Sequence, residues 1–245
     1  HHLLPELGIP HLHAVFGPSL GGMVALAYAL QYPDECDYLV SISAATRALP
    51  FTIAMRSLQR EIIRCDPNWK EGHYHSDQEP ESGMLLARKL GLVSYRAAEE
   101  WHQRFDRARV SKDRRQGKPF EIEFEVESYL EANARKFVSH FDANCYLYLS
   151  RCMDWFDVAD GYDDLPSALA GINLKTSCVI GVETDILFPA YQQKEIADAI
   201  RSNGIDTSFT NLESLMGHDA FLVDHAHFNP HVTAYFDRIW FDDKL

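Results

Sequence analysis

Residues 11–23 read HLHAVFGPSLGGM, and this stretch decides the fold. Its first half, His11 to Gly17, is a short and largely apolar run rich in strand formers, and a helical pattern extends from Met23 to Tyr32. Between them, Gly17 to Gly21 fits the pattern G-x-S-x-G. A strand, a tight turn and a helix in this order predict a nucleophile elbow, a sharp turn from which Ser19 projects its hydroxyl.

Patterns typical of strands and helices alternate on either side of a long middle segment. Tyr38–Ala45 and Thr176–Glu183 are continuously apolar, as strands buried on both faces are. After them, Tyr191–Ser202 has helical periodicity, Thr207–Leu212 is typical of a short strand, and Pro230–Phe241 of an amphipathic closing helix. The alternation predicts an α/β fold in which a parallel sheet is flanked by helices.

The middle segment has helical periodicity and spans about 130 residues, which is too long for a connection between two strands. We therefore predict a large helical lid insertion and three parts of the chain, namely core residues 1–48, lid residues 49–170 and core residues 171–245. The charged stretch Val110–Lys118 is interpreted as a solvated loop. The predicted lid helices are Thr52–Cys65, Gly83–Leu90, Ala97–Ala108, Glu125–Phe141 and Asn144–Phe156.

Composition excludes several classes of protein. Thirty-six acidic residues against 23 Lys and Arg give a formal charge of −13, which argues against a nucleic-acid partner and against anionic membrane surfaces. The sequence contains no apolar run of about 18 residues and no signal-peptide pattern, so we expect a cytoplasmic protein. Five scattered cysteines without a C-x-x-C pair argue against disulfides and a zinc site, and predict mostly buried thiols.

A serine nucleophile needs a base, and the base needs an orienting acid. After an elbow of this kind the acid follows a late strand and the histidine comes last. Asp185 follows the strand that ends near Glu183, and His218 follows the last predicted strand. We therefore predict Ser19, Asp185 and His218 as a catalytic triad, with Glu183 as the rival acid and the backbone N–H of Leu20 as an oxyanion donor. Other histidines are interpreted as surface residues: His1, His2, His11, His13, His73, His75 and His225.

With these residues in place, the chain resembles the homoserine O-acetyltransferase family, whose members are acyltransferases with the α/β-hydrolase fold. In pattern it is closest to the branch of serine O-succinyltransferases and serine acetyltransferases. Six blocks in the same order carry the resemblance across nearly the whole chain: Gly17–Met23, Asp66–Pro67 with Gly72–Tyr74, Ala87–Arg88 with Ser94–Arg96, Phe141–Tyr146, Asp185–Pro189 and Gly217–Phe221.

The resemblance implies a ping-pong O-acyltransferase in methionine or cysteine biosynthesis. Ser19 would take an acetyl or succinyl group from acetyl-CoA or succinyl-CoA and pass it to L-homoserine or L-serine. Acyl-CoA would be a co-substrate, with no other cofactor and no metal. Arg88 and Asp219 match positions that hold the amino acid, Tyr95 matches a pocket tyrosine, and a homodimer is favoured. An esterase or thioesterase on the same fold is the alternative, because a triad alone does not distinguish water from a hydroxyl acceptor.

The segment Ile53–Glu61 looks more like the serine branch of the family. Arg56 and Arg60 lie four residues apart, so they share one face of a predicted helix. We hypothesise that one of the two, with Arg56 favoured over Arg60, receives the distal carboxylate of a succinyl group, because a carboxylate in a closed pocket requires a cation.

The sequence differs from the family pattern at the start of the chain. Only 18 residues precede Ser19, whereas the fold places several strands and the second oxyanion donor before it. We therefore expect an N-terminally truncated chain that is poorly active or insoluble alone, and we assign the function to the full-length protein.

Overall fold

A computed structural model describes residues 1–138 and 140–242. Contacts divide them into two units. The core unit consists of His1–Ala48 and the described residues from Phe156 onward, and the helical unit consists of Leu49–Trp155.

The described residues of the core unit form one four-stranded sheet. All neighbouring strands are parallel, and their order in the sheet is their order in the chain. In the register, Gly17 lies opposite Ser41, and Ser41 lies opposite Val179. The strands are β1 Leu12–Pro18, β2 Cys36–Ile42, β3 Thr176–Val182 and β4 Asp206–Leu212.

The helices belong to both units. In chain order they are α1 Leu3–Glu6, α2 Leu20–Gln31, α3 Pro50–Arg64, α4 Glu81–Ser94, α5 Ala98–Phe105, α6 Glu125–Val138, α7 Ala143–Trp155, α8 Leu165–Leu169, α9 Ala190–Ser202, α10 Ala220–Val223 and α11 His225–Asp242, with 3₁₀ turns at Lys70–Gly72, Lys112–Arg114 and Gly217–Asp219.

The sheet is covered on both faces, which explains the continuously apolar β2 and β3. Successive residues of a strand point to opposite faces, and Leu39 and Val40 accordingly enter different apolar clusters. Leu39 packs with residues of α2, α8 and α9, whereas Val40 packs with residues of α11, including Ile239. Fully burying one such side chain stabilises the fold by about 1.5–3 kcal/mol. The parallel sheet is thus held between two helical layers, as predicted.

In the helical unit, α3 packs on α4 and α7, and α4 packs on α6. Two polar residues from the blocks quoted above hold loops of this unit. The Asp66 carboxylate accepts hydrogen bonds from the backbone N–H groups of Asn68 at 2.9 Å and of Gly83 at 2.7 Å. The Asn144 amide accepts from Trp69 Nε1 at 3.1 Å and donates to the Gly72 carbonyl at 2.9 Å. These residues therefore contribute to the fold of the helical unit.

The structure corrects the predicted end of the lid. The predicted boundary lies at residue 170, whereas residues 156–170 belong to the core unit. The physical reason is apolar burial, because Val158, Leu165 and Leu169 pack with Leu26 and other core residues. The boundary lies at Trp155 instead.

Two further expectations differ from the structure. The last helix begins at His225 and runs through Pro230, because the carbonyl of Asp224 already accepts from the backbone N–H of Phe228.

Cysteine burial is also different. All five cysteines lie in the described ranges and are free; Cys36 and Cys178 are buried, but Cys65, Cys145 and Cys152 are exposed.

Within the residues that the structure describes, no helix is both long and apolar enough to cross a membrane.

Candidate active site

The turn between β1 and α2 carries Ser19. Its backbone has φ 53° and ψ −123°, a strained conformation for a residue with a side chain. The Ser19 N–H donates to the Ile42 carbonyl at 2.8 Å, and the N–H of Gly22 donates to the Ser19 carbonyl at 2.9 Å. Neighbouring β2 and the first turn of α2 therefore hold the strained residue in place. Leu20 is the first residue of α2, as the predicted oxyanion role requires.

Two glycines make this turn sterically feasible. A Cβ on Gly17 would lie 2.1 Å from the carbonyl oxygen of Gly21, and a Cβ on Gly22 would lie 2.5 Å from the Cβ of Ala44. Gly21 itself is different, since a Cβ there would meet no described atom closer than 3.4 Å. The small residues that the turn needs are thus Gly17 and Gly22, and the final glycine of the G-x-S-x-G pattern has room for a methyl group.

The carboxyl ends of three parallel strands bring the predicted triad together. Ser19 follows β1, Asp185 follows β3 and His218 follows β4. His218 Nε2 lies 2.8 Å from Ser19 Oγ, and its Nδ1 lies 2.7 Å from Asp185 Oδ2. With the carboxylate accepting from Nδ1–H, the lone pair of Nε2 faces the serine hydroxyl. The three groups can therefore perform nucleophilic chemistry.

The second oxygen of Asp185 and two aromatic rings complete the surroundings of the triad. Asp185 Oδ1 accepts from the backbone N–H groups of Leu187 at 2.8 Å and Phe188 at 2.9 Å, which fixes the carboxylate. The ring centroids of Phe188 and Phe221 lie 5.3 Å and 5.7 Å from that of His218. His218 and Asp185 are both buried, so water has little access to their hydrogen bond.

Burial also distinguishes the triad from its rivals. Glu183 is exposed, whereas Asp185 is 3% exposed and contacts the histidine. The seven histidines interpreted as surface residues are all exposed. Asp219 directly follows His218 at the end of the Gly217–Asp219 turn.

The helical unit holds Arg88 and Tyr95, the other predicted amino-acid ligands. The Arg88 guanidinium lies over the ring of Phe137 at 4.3 Å and near the ring of Tyr95 at 5.3 Å. Its Nε atom is buried without a hydrogen-bond partner in the described part of the chain. A buried guanidinium N–H without a partner is costly, so this group suits an anionic ligand.

Arg56 and Arg60 share an acidic partner that sequence reasoning missed. Arg56 Nε lies 2.6 Å from Asp154 Oδ1, and Arg60 Nη2 lies 2.6 Å from Asp154 Oδ2. Arg60 also donates to the hydroxyl of Ser150 at 2.8 Å. The Nη2 atom of Arg56 is buried and has no partner among residues 1–138 and 140–242. One carboxylate thus faces two guanidinium groups, and Arg56 retains a donor.

Tyr146 lies within electrostatic range of all three arginines. Burial and the nearby Tyr95 raise the pKa of Tyr146, whereas Arg88, Arg56 and Arg60 act to lower it. Its hydroxyl donates to Gln59 Oε1 at 2.9 Å. We call Arg56, Arg60, Arg88 and Asp154 the arginine cluster. Its three cations and single carboxylate carry a net positive charge, which favours binding of anions.

Two of these contacts could not be inferred from the sequence. Asp154 lies 98 residues from Arg56, and no local pattern connects them. Tyr146 and Gln59 lie 87 residues apart, although Tyr146 ends one of the quoted blocks. Over the described ranges, no group of three or more His, Cys, Asp or Glu side chains is arranged to hold a metal ion.

The family pattern of the alpha/beta hydrolase fold matches residues 2–225. The chain belongs to this family. The fold class predicted from the sequence is thereby confirmed. In this fold the nucleophile elbow is a sharp turn between a strand and a helix.

The chain is similar to curated proteins named serine O-succinyltransferase, so the predicted resemblance to that branch is also confirmed. It is 53% identical over 234 residues to one from Stenotrophomonas maltophilia strain K279a, covering 95% of the chain and 63% of the relative. It is 51% identical over 234 residues to one from Xylella fastidiosa strain M23, with the same coverage. The chain thus spans less than two thirds of these relatives.

Solved structures support the same fold. A homoserine O-acetyltransferase from Bacillus anthracis superposes with a TM-score of 0.81 at 24% identity, covering 93% of this chain and 60% of that chain. Esterase E22 superposes with a TM-score of 0.79 at 25% identity, covering 97% of this chain and 62% of that one. Neighbours on this fold therefore include both transferases and esterases.

Proposed function

We propose that the full-length protein is a CoA-dependent O-acyltransferase that moves a succinyl group from succinyl-CoA to the hydroxyl of L-serine. The observation that carries this proposal is the 53% identity, over 95% of the chain, to a protein named serine O-succinyltransferase. The hydrogen-bonded Ser19, His218 and Asp185 support it, because they provide the activated nucleophile that acyl transfer needs.

The first half-reaction forms an acyl-enzyme. His218 Nε2 takes the proton of Ser19 Oγ while that oxygen attacks the thioester carbonyl carbon. The carbon–sulfur bond then breaks, and His218 gives the proton to the departing CoA sulfur. Asp185 holds the protonated Nδ1 and stabilises the imidazolium between these transfers. The products are succinyl-Ser19 and free CoA.

The second half-reaction repeats these steps with the acceptor. The hydroxyl of the substrate L-serine gives its proton to His218 Nε2 while its oxygen attacks the acyl carbon of succinyl-Ser19. The bond between that carbon and Ser19 Oγ then breaks, and His218 returns the proton to Ser19 Oγ. In both halves negative charge develops on the carbonyl oxygen. The N–H of Leu20 at the start of α2 is the proposed donor to it, and one such donor contributes roughly 10²–10³ to the rate.

Arg88 and Asp219 are the proposed ligands of the amino acid. A guanidinium binds a carboxylate through two parallel hydrogen bonds, which suits Arg88 to the α-carboxylate. A carboxylate such as that of Asp219 suits the α-ammonium group. Tyr95, whose ring lies beside Arg88, is proposed to line the same pocket.

Arg56 is the proposed ligand of the distal succinyl carboxylate. Its Nε is held by Asp154, while its buried Nη2 has no partner in the ranges described. Succinyl transfer to serine brings two carboxylates, one on each substrate. The arginine cluster has two guanidinium groups with an unsatisfied buried nitrogen, Arg56 and Arg88, which matches that number.

Succinyl transfer to L-serine also suggests a role in amino-acid biosynthesis. Serine succinylation activates the serine hydroxyl for displacement, which fits a cytoplasmic step of cysteine or methionine biosynthesis. A homodimer is also proposed, on family resemblance.

The acyl-enzyme provides the direct test of mechanism. Full-length protein is mixed with succinyl-CoA without acceptor, quenched, and examined by intact and peptide mass spectrometry. We expect one succinyl group on the peptide that contains Ser19, and rapid loss of it when L-serine is added. The Ser19→Ala variant should acquire no such group. A parent protein that transfers acyl groups without labelling at Ser19 would contradict the mechanism.

The second candidate function is ester or thioester hydrolysis, and the similarity to esterase E22 favours it. The same experiment distinguishes the two. A hydrolase loses its acyl group to water as fast without L-serine as with it, whereas a transferase retains the acyl group until the acceptor arrives.

A further inference from the structure

The loops that carry Asp185 and His218 are joined by a hydroxyl outside the triad. Thr184 directly precedes Asp185, and its Oγ1 donates to the Ser214 carbonyl at 2.6 Å. The same oxygen accepts from the backbone N–H of Gly217, which directly precedes His218, at 3.1 Å. One side chain thus contacts both ends of the short segment 214–217 leading to the histidine.

The backbone of this segment needs such support. Gly217 has φ +65°, in the left-handed region, and its backbone N–H donates to a side chain, that of Thr184. Gly217 directly precedes His218, so a hydrogen bond to its N–H constrains the backbone that carries the imidazole. Satisfying this N–H through Thr184 fixes the distance between the histidine loop and the acid loop.

A second layer holds the same segment from the other side. The Ser214 hydroxyl donates to Asp224 Oδ2 at 2.5 Å and accepts from the N–H of Met216 at 3.3 Å. Asp224 in turn contacts His227 Nδ1 at 2.7 Å, at the start of α11. The segment is therefore tied both to the loop after β3, through Thr184, and to α11.

We propose that Thr184 is a positioning residue for the triad, whose hydroxyl sets His218 in line with both Asp185 and Ser19. This inference rests on the proposed catalytic roles of Ser19 and His218. It predicts that removing the hydroxyl slows proton transfer at Ser19 without altering substrate affinity, because Thr184 acts through the histidine. A displacement well below 1 Å at such a site lowers the rate measurably.

The test measures the reactivity of Ser19 directly. Full-length parent and variants are treated with a fluorophosphonate that modifies the serine, and the second-order rate constant is determined. The kcat and KM for succinyl transfer and the thermal midpoint are measured in parallel. Thr184→Val removes the hydroxyl with little change in shape, Thr184→Ser retains it, and Thr184→Ala removes it without a methyl group against the Ser214 carbonyl.

A matched control lies at the first residue of β3, the strand that precedes the Thr184 loop. Thr176 Oγ1 forms a hydrogen bond of 2.9 Å with the hydroxyl of Tyr235. Thr176→Val therefore removes a comparable side-chain hydrogen bond of β3 at a distance from the triad. It should lower the thermal midpoint as Thr184→Val does, while leaving fluorophosphonate reactivity unchanged.

We expect Thr184→Val to reduce both the modification rate and kcat by about tenfold, with KM within about twofold of the parent. Thr184→Ser should restore both. The proposal is overturned if folded Thr184→Val keeps the parent rate, if Thr184→Ser is as slow as Thr184→Val, or if Thr176→Val is equally slow. Should Thr184→Val not fold, Thr184→Ala decides by the same criteria. Because modification requires neither CoA nor an amino acid, failure of the transferase proposal would not alter this outcome.

Discussion

His218 Nε2 lies 2.8 Å from Ser19 Oγ although 199 residues separate the two in the chain. The parallel sheet contributes to this proximity, because Ser19 and His218 both follow the carboxyl ends of strands, which all lie on the same side of a parallel sheet. The chemistry proposed for the protein depends on this distance and on that from His218 to Asp185.

The triad predicts a set of large losses of activity. Ser19→Ala, His218→Ala and Asp185→Asn should each lower kcat for acyl transfer by about 10⁴-fold or more, and combining them should add little further loss. Glu183→Gln is the matched control, since Glu183 is an exposed carboxylate two residues from Asp185. Initial rates of thiol release measure all four. If Glu183→Gln were as damaging as Asp185→Asn, the assignment of the acid would be wrong.

Alanine substitutions at Gly17 and Gly21 of the elbow should affect stability to very different extents. Gly17→Ala should lower the thermal midpoint strongly or prevent folding, because its Cβ would lie 2.1 Å from the Gly21 carbonyl oxygen. Gly21→Ala should change stability by no more than about 1 kcal/mol, since it has room and alanine favours helices. Thermal unfolding of the two variants tests this difference. Equal destabilisation would contradict the steric account of the turn.

The arginine cluster predicts a change in acyl preference. Arg56→Ala should lower kcat/KM for succinyl-CoA by roughly 30-fold, about 2 kcal/mol for the loss of a desolvated charge pair, with little effect on acetyl-CoA. Arg60→Ala is the control, because it removes the other partner of Asp154 and leaves Arg56 Nη2 in place. Arg60→Ala should change kcat/KM for acetyl-CoA and for succinyl-CoA by the same factor. An unchanged ratio of acetyl-CoA to succinyl-CoA turnover in Arg56→Ala would refute the assignment.

The hydrogen bond between Ser214 and Asp224 predicts a pH dependence of stability. The Ser214 hydroxyl and the adjacent His227 hold the pKa of Asp224 below its ordinary value. A lowered pKa in the folded state stabilises the protein above the unfolded-state pKa of about 4, and this contribution is lost as the pH falls through the folded-state value. Ser214→Ala should therefore be less stable than the parent at neutral pH, and the difference should shrink below about pH 4.

Ser202→Ala provides the comparison, since the Ser202 hydroxyl donates to a backbone carbonyl, that of Ala199, at 2.8 Å. Its effect on the thermal midpoint should be independent of pH. A deficit in Ser214→Ala that stays constant down to acid pH would show that Asp224 contributes no such linkage.

The sequence predicted those parts of the fold and site that local patterns encode. Strand and helix periodicity located the sheet, and the order Ser19, Asp185, His218 named the side chains that the structure brings together. Contacts between residues that are distant in the sequence could not be predicted from local patterns. Asp154 pairs with an arginine 98 residues away, and Thr184 meets a carbonyl 30 residues away. Such partners depend on how helices and loops pack, which no local pattern records.

The predicted lid boundary failed for a related reason. Residues 156–170 include a short helix and apolar side chains, which by pattern alone resemble the segments before them. Their assignment to the core unit follows from what Leu165 and Leu169 pack against. The start of α11 was misplaced because proline favours the first turn of a helix, whereas Pro230 lies within this one.

A matrix of initial rates tests for acyl transfer to an amino acid. Full-length protein is combined with acetyl-CoA or succinyl-CoA and with L-serine, L-homoserine or water alone, and free thiol is followed. We expect rapid CoA release with succinyl-CoA and L-serine, and slow release with water alone. Equally fast release from succinyl-CoA with water alone would contradict it and identify a hydrolase.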